Sequence, residues 1–313
     1  MRGRRPPVSV IIPCYNGRRF LSQAIDSVLV QTIVPAEIIV VDDGSTDDSA
    51  EVAESYGPPV RVIRQANQGE SAARNVGIAA ARGDYLLFLD ADDLLESQSL
   101  EILADAVNQA PGSVALMGFA WFTNDPSRPT KVRMPEDSQF FPGIITGNFG
   151  PPHCWLTPAD LVRKVGGFHP PLRWFEDWEM WCRIALTDAK LVPVGHLGAL
   201  YRQHSNSQLA NTTQDNRSRG HVFVMECLAR RMLRRQDLLN QYATIMFWSG
   251  WTAYHRARET GVSWHEVRGL ACLLEEIVRR GPPEVRRLTF GSFIQALGLR
   301  WANSLRDFIA CDC

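Results

Sequence analysis

Residues 83–93 read Gly83-Asp-Tyr-Leu-Leu-Phe-Leu-Asp-Ala-Asp-Asp93, an apolar run that ends in three carboxylates within four positions. A short continuous apolar run bounded by turn residues fits a strand buried on both faces, as in parallel sheets. The same arrangement occurs earlier, where Glu37-Ile-Ile-Val-Val41 is followed at once by Asp42-Asp43-Gly44-Ser45. Two strands distant in sequence thus deliver acids to their carboxyl ends.

Working outward, Val8-Ser-Val-Ile-Ile12 is a further β-branched run closed by Pro13, and Val60-Arg-Val-Ile63 supplies another. Helical periodicity fills the gaps. Phe20, Leu21, Ala24, Ile25, Val28 and Leu29 share one face between Gly17 and Gln31, and residues 47–56 and 71–81 carry two more helical stretches. Strand and helix alternate over about the first 105 residues, the pattern of right-handed crossovers in an α/β domain with a mostly parallel sheet. In such sheets ligands bind outside the carboxyl ends of the strands, where these acids lie.

Beyond Pro111 the periodicity weakens to about His169 among many Gly and Pro residues, which predicts loops and short strands covering a site. Helices are expected at 158–165 and 176–186, with a short strand near 190–194. After Asn216 nearly everything reads as amphipathic helix, broken at Gly261, Gly281-Pro-Pro283 and Gly291. The expected organisation is a first domain over 1–214, divided into halves 1–105 and 106–214, and a helical C-terminal region over 215–313.

Composition narrows the partners. The 313 residues are 45% hydrophobic with a formal charge of -1, so there is no global basic field for nucleic acid. Residues 217–313 nevertheless hold 15 Arg and no Lys against 9 acids, with Arg230, Arg231, Arg234 and Arg235 clustered. Such a patch suits either an anionic membrane surface or a solvated helix face. The seven cysteines lack metal or disulfide spacing and fit a reducing cytosol. The apolar run Val8–Pro13 is too short for a signal-peptide core, and residues 241–254 are too short to cross a bilayer. A cytoplasmic protein is expected, with peripheral attachment at the inner face of the membrane as an extension of that reading.

The acids suit a nucleoside diphosphate held through a hard divalent cation, whose shell one or two carboxylates and the phosphates commonly share. Asp90 and Asp92 are placed to reach a ribose and a metal; the bland alternative is that they cap turns. The chain has neither a glycine fingerprint after its first strand nor a GxxxxGK[ST] loop, which sets aside dehydrogenases and P-loop NTPases.

Four words, Val10-Ile-Ile-Pro-Cys-Tyr-Asn16, Val41-Asp-Asp-Gly-Ser-Thr-Asp47, Gly69-Glu-Ser-Ala-Ala-Arg-Asn75 and Gly83–Asp93, follow in the order and spacing that resembles family-2 glycosyltransferases. Phe175-Glu-Asp-Trp178 and Tyr201-Arg-Gln-His204 extend the resemblance to about residue 210. It implies a Rossmann-like nucleotide-diphospho-sugar transferase fold of the GT-A type and an inverting transfer from a nucleotide sugar, expected to be a UDP-sugar, to a hydroxyl of a glycan or glycolipid. By the same resemblance residues 1–214 are the catalytic domain, with 1–105 its nucleotide-binding half and 106–214 its acceptor half; Asp43 contacts the uracil, Pro13 and Tyr15 frame the base, and Arg64 and Asp90 lie along the nucleotide. Asp92 and His204 bind Mn2+ or Mg2+, and Asp177 is the general base, with Asp93 and Glu176 as additional contacts. Two other readings stay open: a non-catalytic nucleotide-sugar-binding relative serving as scaffold or regulator, and a nucleotidyltransferase.

Trp174, Trp178 and Trp181 fall at i, i+4 and i+7 and are expected to pack in the core rather than stack on sugar. His153 and Trp155 are read as either acceptor contacts or interface filler.

Overall fold

The structure, a computed structural model, describes residues 5–136, 139–205, 207 and 212–285. Its contacts divide the chain into two compact units, Met1–Ile144 with Asn148–Asn211, and Ile145–Gly147 with Thr212–Cys313.

The first unit is built on a nine-stranded sheet. Strands β1 (Val8–Cys14), β2 (Glu37–Asp42), β3 (Val60–Arg64) and β4 (Tyr85–Phe88) are joined by helices α1 (Arg18–Leu29), α2 (Ser49–Glu54) and α3 (Glu70–Ala80). They lie in the order β3-β2-β1-β4, all parallel. This is the half the sequence makes plain: β1, β2 and β4 are buried along their whole lengths, so every residue is apolar or hydrogen-bonded. Gly77 lets α3 lie directly on β1, because a Cβ there would collide with the Ile11 side chain.

The second half of the sheet is mixed. Beyond β4 come β8 (Trp155–Pro158), β6 (Val114–Phe122), β9 (Leu191–Arg202) and β5 (Leu94–Leu95), with β7 (Lys131–Arg133) paired to β6. Here β4–β8, β8–β6 and β5–β9 are antiparallel and β6–β9 is parallel. Helix α4 (Ser99–Gln109) leads into β6; α5 (Ala159–Val165) and α6 (Glu176–Ala185) lie between β8 and β9.

This half corrects an expectation. Residues 111–169, expected as loops and short strands, contain β6, a nine-residue strand near the middle of the sheet. Val114-Ala-Leu-Met-Gly-Phe-Ala-Trp-Phe122 is buried at all but one position, so it carries no period-2 signal, and Gly118 interrupts its apolar run where the pairing with β9 shifts register. The strand expected at 190–194 likewise continues to Arg202, through the irregularity at Met117–Phe119.

The second unit is helical among the described residues: α7 (Gln214–Met232), α8 (Gln236–Glu259) and α9 (Trp264–Arg280) pack on one another. Gly261, at φ +90°, ends α8, and Ser263 starts α9 with a capping box closed by Glu266. The break expected at Gly291 lies outside the described residues. Among the described residues no helix is long and apolar enough to cross a membrane.

Candidate functional site

The carboxyl ends of β1, β2 and β4 form one rim. At β1, Asn16 adopts a left-handed conformation (φ 51°), and its side-chain oxygen accepts from the Thr46 amide at 2.8 Å, tying the turn after β1 to the turn after β2. Pro13 is the penultimate residue of β1, and Tyr15, just beyond it, is 53% exposed. Asp42 and Asp43 are both buried. Asp42 accepts weakly from the Ser45 amide, 3.3 Å away.

Asp43 gathers the loop after β3. Its Oδ1 accepts from Gln65 Nε2 at 2.6 Å and from the Gln68 amide at 2.9 Å, and its Oδ2 accepts from the Gly69 amide at 2.8 Å. Gly69, at φ +92°, then opens α3. The carboxylate therefore shapes this loop, with Oδ2 retaining acceptor capacity. Arg64, at the end of β3, is half exposed and pairs with Glu51 and Glu54 of α2 at 3.0 and 2.8 Å.

The core of the site is Arg74, a buried cation on α3. Its guanidinium donates to Asp90 Oδ1 at 2.6 Å, to Glu176 Oε1 at 2.9 Å and to Glu70, and stands over the Phe168 ring at 5.0 Å. One side chain thus joins the acid following β4 to the acid that opens α6. Three carboxylates share this one positive charge, and Asp92 and Asp93 adjoin it, so the rim is strongly electronegative.

Arg202, at the end of β9, fixes the acidic turn. Its backbone amide donates to Asp93 Oδ1 at 2.6 Å and its Nε donates to the Asp92 carbonyl at 2.7 Å. Two residues later, His204 Nε2 lies 2.8 Å from Asp92 Oδ2, with the imidazole tilted against Phe20. Burial and the charges of neighbouring acids push Asp92 and Asp93 above the usual carboxylate range.

A shell of this kind fits a divalent cation. Clustered carboxylates repel one another, which a divalent charge would relieve, and Asp93 Oδ2 and both nitrogens of His153 are buried without a hydrogen bond. His153, itself fully buried, is pushed down to about 4 by loss of solvent and is neutral, the form that ligates.

Asp177 follows Glu176 in the first turn of α6, after Phe175 in a left-handed conformation. Asn148 Nδ2 donates to Asp177 Oδ2 at 2.7 Å, and the Trp178 amide approaches Oδ1 at 2.7 Å. Burial, then the charge of Glu176, pushes the carboxyl up to about 7.

Of the residues singled out in sequence, the fold collects Asp90, Asp92, Asp93, Glu176, Asp177 and His204 around Arg74 and Arg202. Asp43 and Tyr15 stand at the neighbouring strand ends, and Arg64 is turned to α2. Arg74, Arg202 and Asn148 received no role from sequence. Arg74 had a signal, a lone cation within the small and apolar run of α3; Asn148 had none. Trp178 and Trp181 are buried, with Trp178 Nε1 donating to the Ile144 carbonyl and Trp181 stacked on Trp155 at 4.6 Å. Trp174 precedes the helix, so the i, i+4, i+7 face is not formed.

The first unit is thus an α/β sheet with an acid-lined rim, one buried arginine and a carboxylate held to it from a separate helix. The chain belongs to glycosyl transferase family 2, whose model matches residues 9–166, just over half of it. EpsJ of Bacillus subtilis, described as an uncharacterized glycosyltransferase, is 42% identical over 130 residues, 41% of this chain and 37% of that protein. RT0329 of Rickettsia typhi, also described as an uncharacterized glycosyltransferase, is 32% identical over 188 residues, 56% of this chain and 58% of its own. The chain thus spans less than two thirds of either relative's length. Among solved structures, S. aureus TarS 1–349 in complex with UDP superimposes with a TM-score of 0.66 at 19% identity, over 97% of this chain and 88% of that one. Mannosyltransferase PcManGT from Pyrobaculum calidifontis, in complex with GDP-Man and Mn2+, does so with a TM-score of 0.51 at 15% identity, over 98% and 86%. These likenesses are of fold.

Proposed function

We propose that this protein transfers a sugar from a nucleoside diphosphate sugar, UDP-linked, to a hydroxyl of a glycan or glycolipid acceptor with inversion at the anomeric carbon. The observation that carries the reading is the Arg74 bridge. It holds the acid after β4, Asp90, and the acid beside the base, Glu176, on one guanidinium, so donor and acceptor chemistry share one centre.

In this reading Asp43, Pro13 and Tyr15 receive the base, Asp90 the ribose, and Asp92 with His204 the divalent cation, Mn2+ or Mg2+. The cation, when bound, supplies positive charge to the departing diphosphate. The chain's own residues do the rest. Asp177 accepts the proton of the acceptor hydroxyl; a carboxyl raised toward neutrality is a stronger base than an ordinary one while still ionised near neutral pH. Asn148 fixes its orientation through Oδ2, and Arg74, by neutralising Glu176, limits the like charge beside the base. In this reading the base comes from α6 and the diphosphate is held from the β4 and β9 ends, so that attack and departure are assigned to opposite faces of the sugar. That arrangement gives inversion.

Likeness in fold to UDP-bound TarS supports the nucleotide, and likeness in fold to PcManGT with GDP-Man and Mn2+ supports a nucleotide sugar with a cation. A peripheral position at an anionic membrane face belongs to the same proposal, drawn from the arginines that end α7, where Arg230 is 59% exposed. The deciding experiment measures nucleoside diphosphate release from a panel of UDP-, GDP- and dTDP-sugars with Mn2+ or Mg2+. Release from one donor that requires a cation and is lost in Asp177→Asn supports the reading; binding without release, with any acceptor mixture, favours a non-catalytic scaffold.

A further inference from the structure

Two cations on β7 have no task in that mechanism. The strand is exposed at all three residues, and among the described residues neither Lys131 nor Arg133 makes an ion pair. β7 pairs with β6 so that Lys131 stands opposite Trp121 and Arg133 opposite Phe119, and β6 pairs with β9 so that Trp121 stands beside Tyr201. Paired residues share a face of a sheet, so these five side chains project from one side. Lys131 Nζ lies over the Trp121 ring, 5.1 Å from its centroid, and the Phe119 and Trp121 rings are 4.5 Å apart. Trp121 and Tyr201 are half-buried, and the Tyr201 hydroxyl makes no hydrogen bond among the described residues.

Two contacts tie this face to the rim and to the base. Tyr201 stacks on His153, ring centroids 6.3 Å apart, and His153 faces Asp93 at 3.4 Å. Asn148 holds Asp177, and two residues on Gly150 lies against Phe119, where a Cβ would come within 3.3 Å of the ring. The platform thus starts beside Asp177 and runs outward to the two cations. A cross-strand Lys–Trp pair alone would be ordinary sheet packing. Here a second cation, Arg133, shares the face without a carboxylate partner, next to a rim whose own charge is strongly negative. A half-exposed indole offers an apolar face to a sugar ring, and an ammonium beside a guanidinium suits a carboxylate or phosphate.

We propose that Trp121, Lys131 and Arg133 form an acceptor subsite that selects a glycan carrying an acidic group, a uronate carboxylate or a phosphate. The inference deepens the transferase reading and rests on it for the statement that this face receives the acceptor. Charge also sets the direction of the acceptor. The rim carboxylates repel its acidic group and the β7 cations attract it, so the anion is held outward and an uncharged hydroxyl is presented to Asp177. Tyr201, between the two, offers its hydroxyl to the sugar that spans them.

The test is calorimetric binding of short oligosaccharides to the full chain, alone and with UDP and Mn2+. Oligogalacturonate and its methyl ester share a backbone and differ in charge; phosphorylated and plain malto-oligosaccharides do the same for phosphate. At least one acidic member should bind roughly tenfold or more tightly than its neutral twin, with an advantage that shrinks as salt rises. The pair that shows it names the acid. Lys131→Gln/Arg133→Gln, at two exposed positions, should remove the advantage and leave the neutral twin's affinity as it was. Trp121→Leu should weaken both members of the pair; should it fail to fold, the charge variants decide alone. No acidic preference in either pair, a preference that survives the double charge variant, or a folded Trp121→Leu chain that binds both members as before overturns the proposal. No turnover is measured, so the transferase reading, which falls if no donor releases nucleotide, can fail independently of this one.

Discussion

Asp92 Oδ2 and His204 Nε2 lie 2.8 Å apart across 112 residues of sequence. The contact joins the acidic turn after β4 to the segment after β9, and Arg202 clamps the same two segments through the Asp93 carboxylate and the Asp92 carbonyl. If this pair holds the cation, Asp92→Ala should abolish cation-dependent nucleotide release, and His204→Ala should raise the cation concentration needed for half-maximal activity by roughly 10–100-fold. Cation titrations of release rate check both, and an unchanged requirement in His204→Ala removes the histidine from the site.

Asp177→Asn keeps the shape and loses the base. Turnover should fall by about 10²–10⁴-fold, with nucleotide affinity little changed because the side chain is held by Asn148 and not by the donor rim. Release rates and UDP calorimetry on the same preparation separate the two quantities.

The pH profile follows from the same carboxyl, raised to about 7 by burial and by Glu176. Activity should rise with pH through a limb near 7, since only the ionised form accepts a proton. For stability the sign is opposite. The folded state binds this proton more tightly than the unfolded chain, so the contribution is fully present below the unfolded carboxylate value near 4 and is lost as pH rises through about 7. Denaturant midpoints over that window should show a decline with pH that is shallower in Asp177→Asn.

Arg74→Met leaves Glu70, Asp90 and Glu176 without their shared cation. Breaking a buried pair in this way costs about 3–5 kcal/mol, and Arg74→Lys should restore little, because one ammonium cannot reproduce the planar fork that reaches Asp90 and Glu176 from separate nitrogens. Chemical denaturation measures both. A variant of wild-type stability would mean that the carboxylates are neutral in the fold.

Gly77→Ala tests the helix-to-strand contact beneath the site. The added methyl meets the γ carbons of Ile11, so the variant should lose about 1–3 kcal/mol, and in an Ile11→Ala background, which lacks those carbons, the same change should cost less. Thermal melts of the single and double variants give the coupling.

The sequence alone determined the parallel half of the sheet and the position of its acids. Val8–Ile12, Glu37–Val41 and Tyr85–Leu89 are mainly apolar because both their faces are buried, the intervening helices carry a 3.6-residue stripe, and carboxylates follow the second and the fourth strand at their carboxyl ends. Those are local consequences of burial, so they are written in neighbouring residues, and the family's motifs sit on the same segments. Tertiary structure decided what local pattern does not encode. The apolar run of β6 gained its meaning only from pairing with β8 and β9, and the site was completed by contacts across about a hundred residues, Arg74 to Glu176 and Asp93 to Arg202. Asn148 reaches Asp177, and His153 reaches Asp93, through loop paths that carry no periodic signal. Whether a carboxylate is a base, a ligand or a brace depends on its burial and on which charges surround it, and both are set by packing between distant segments.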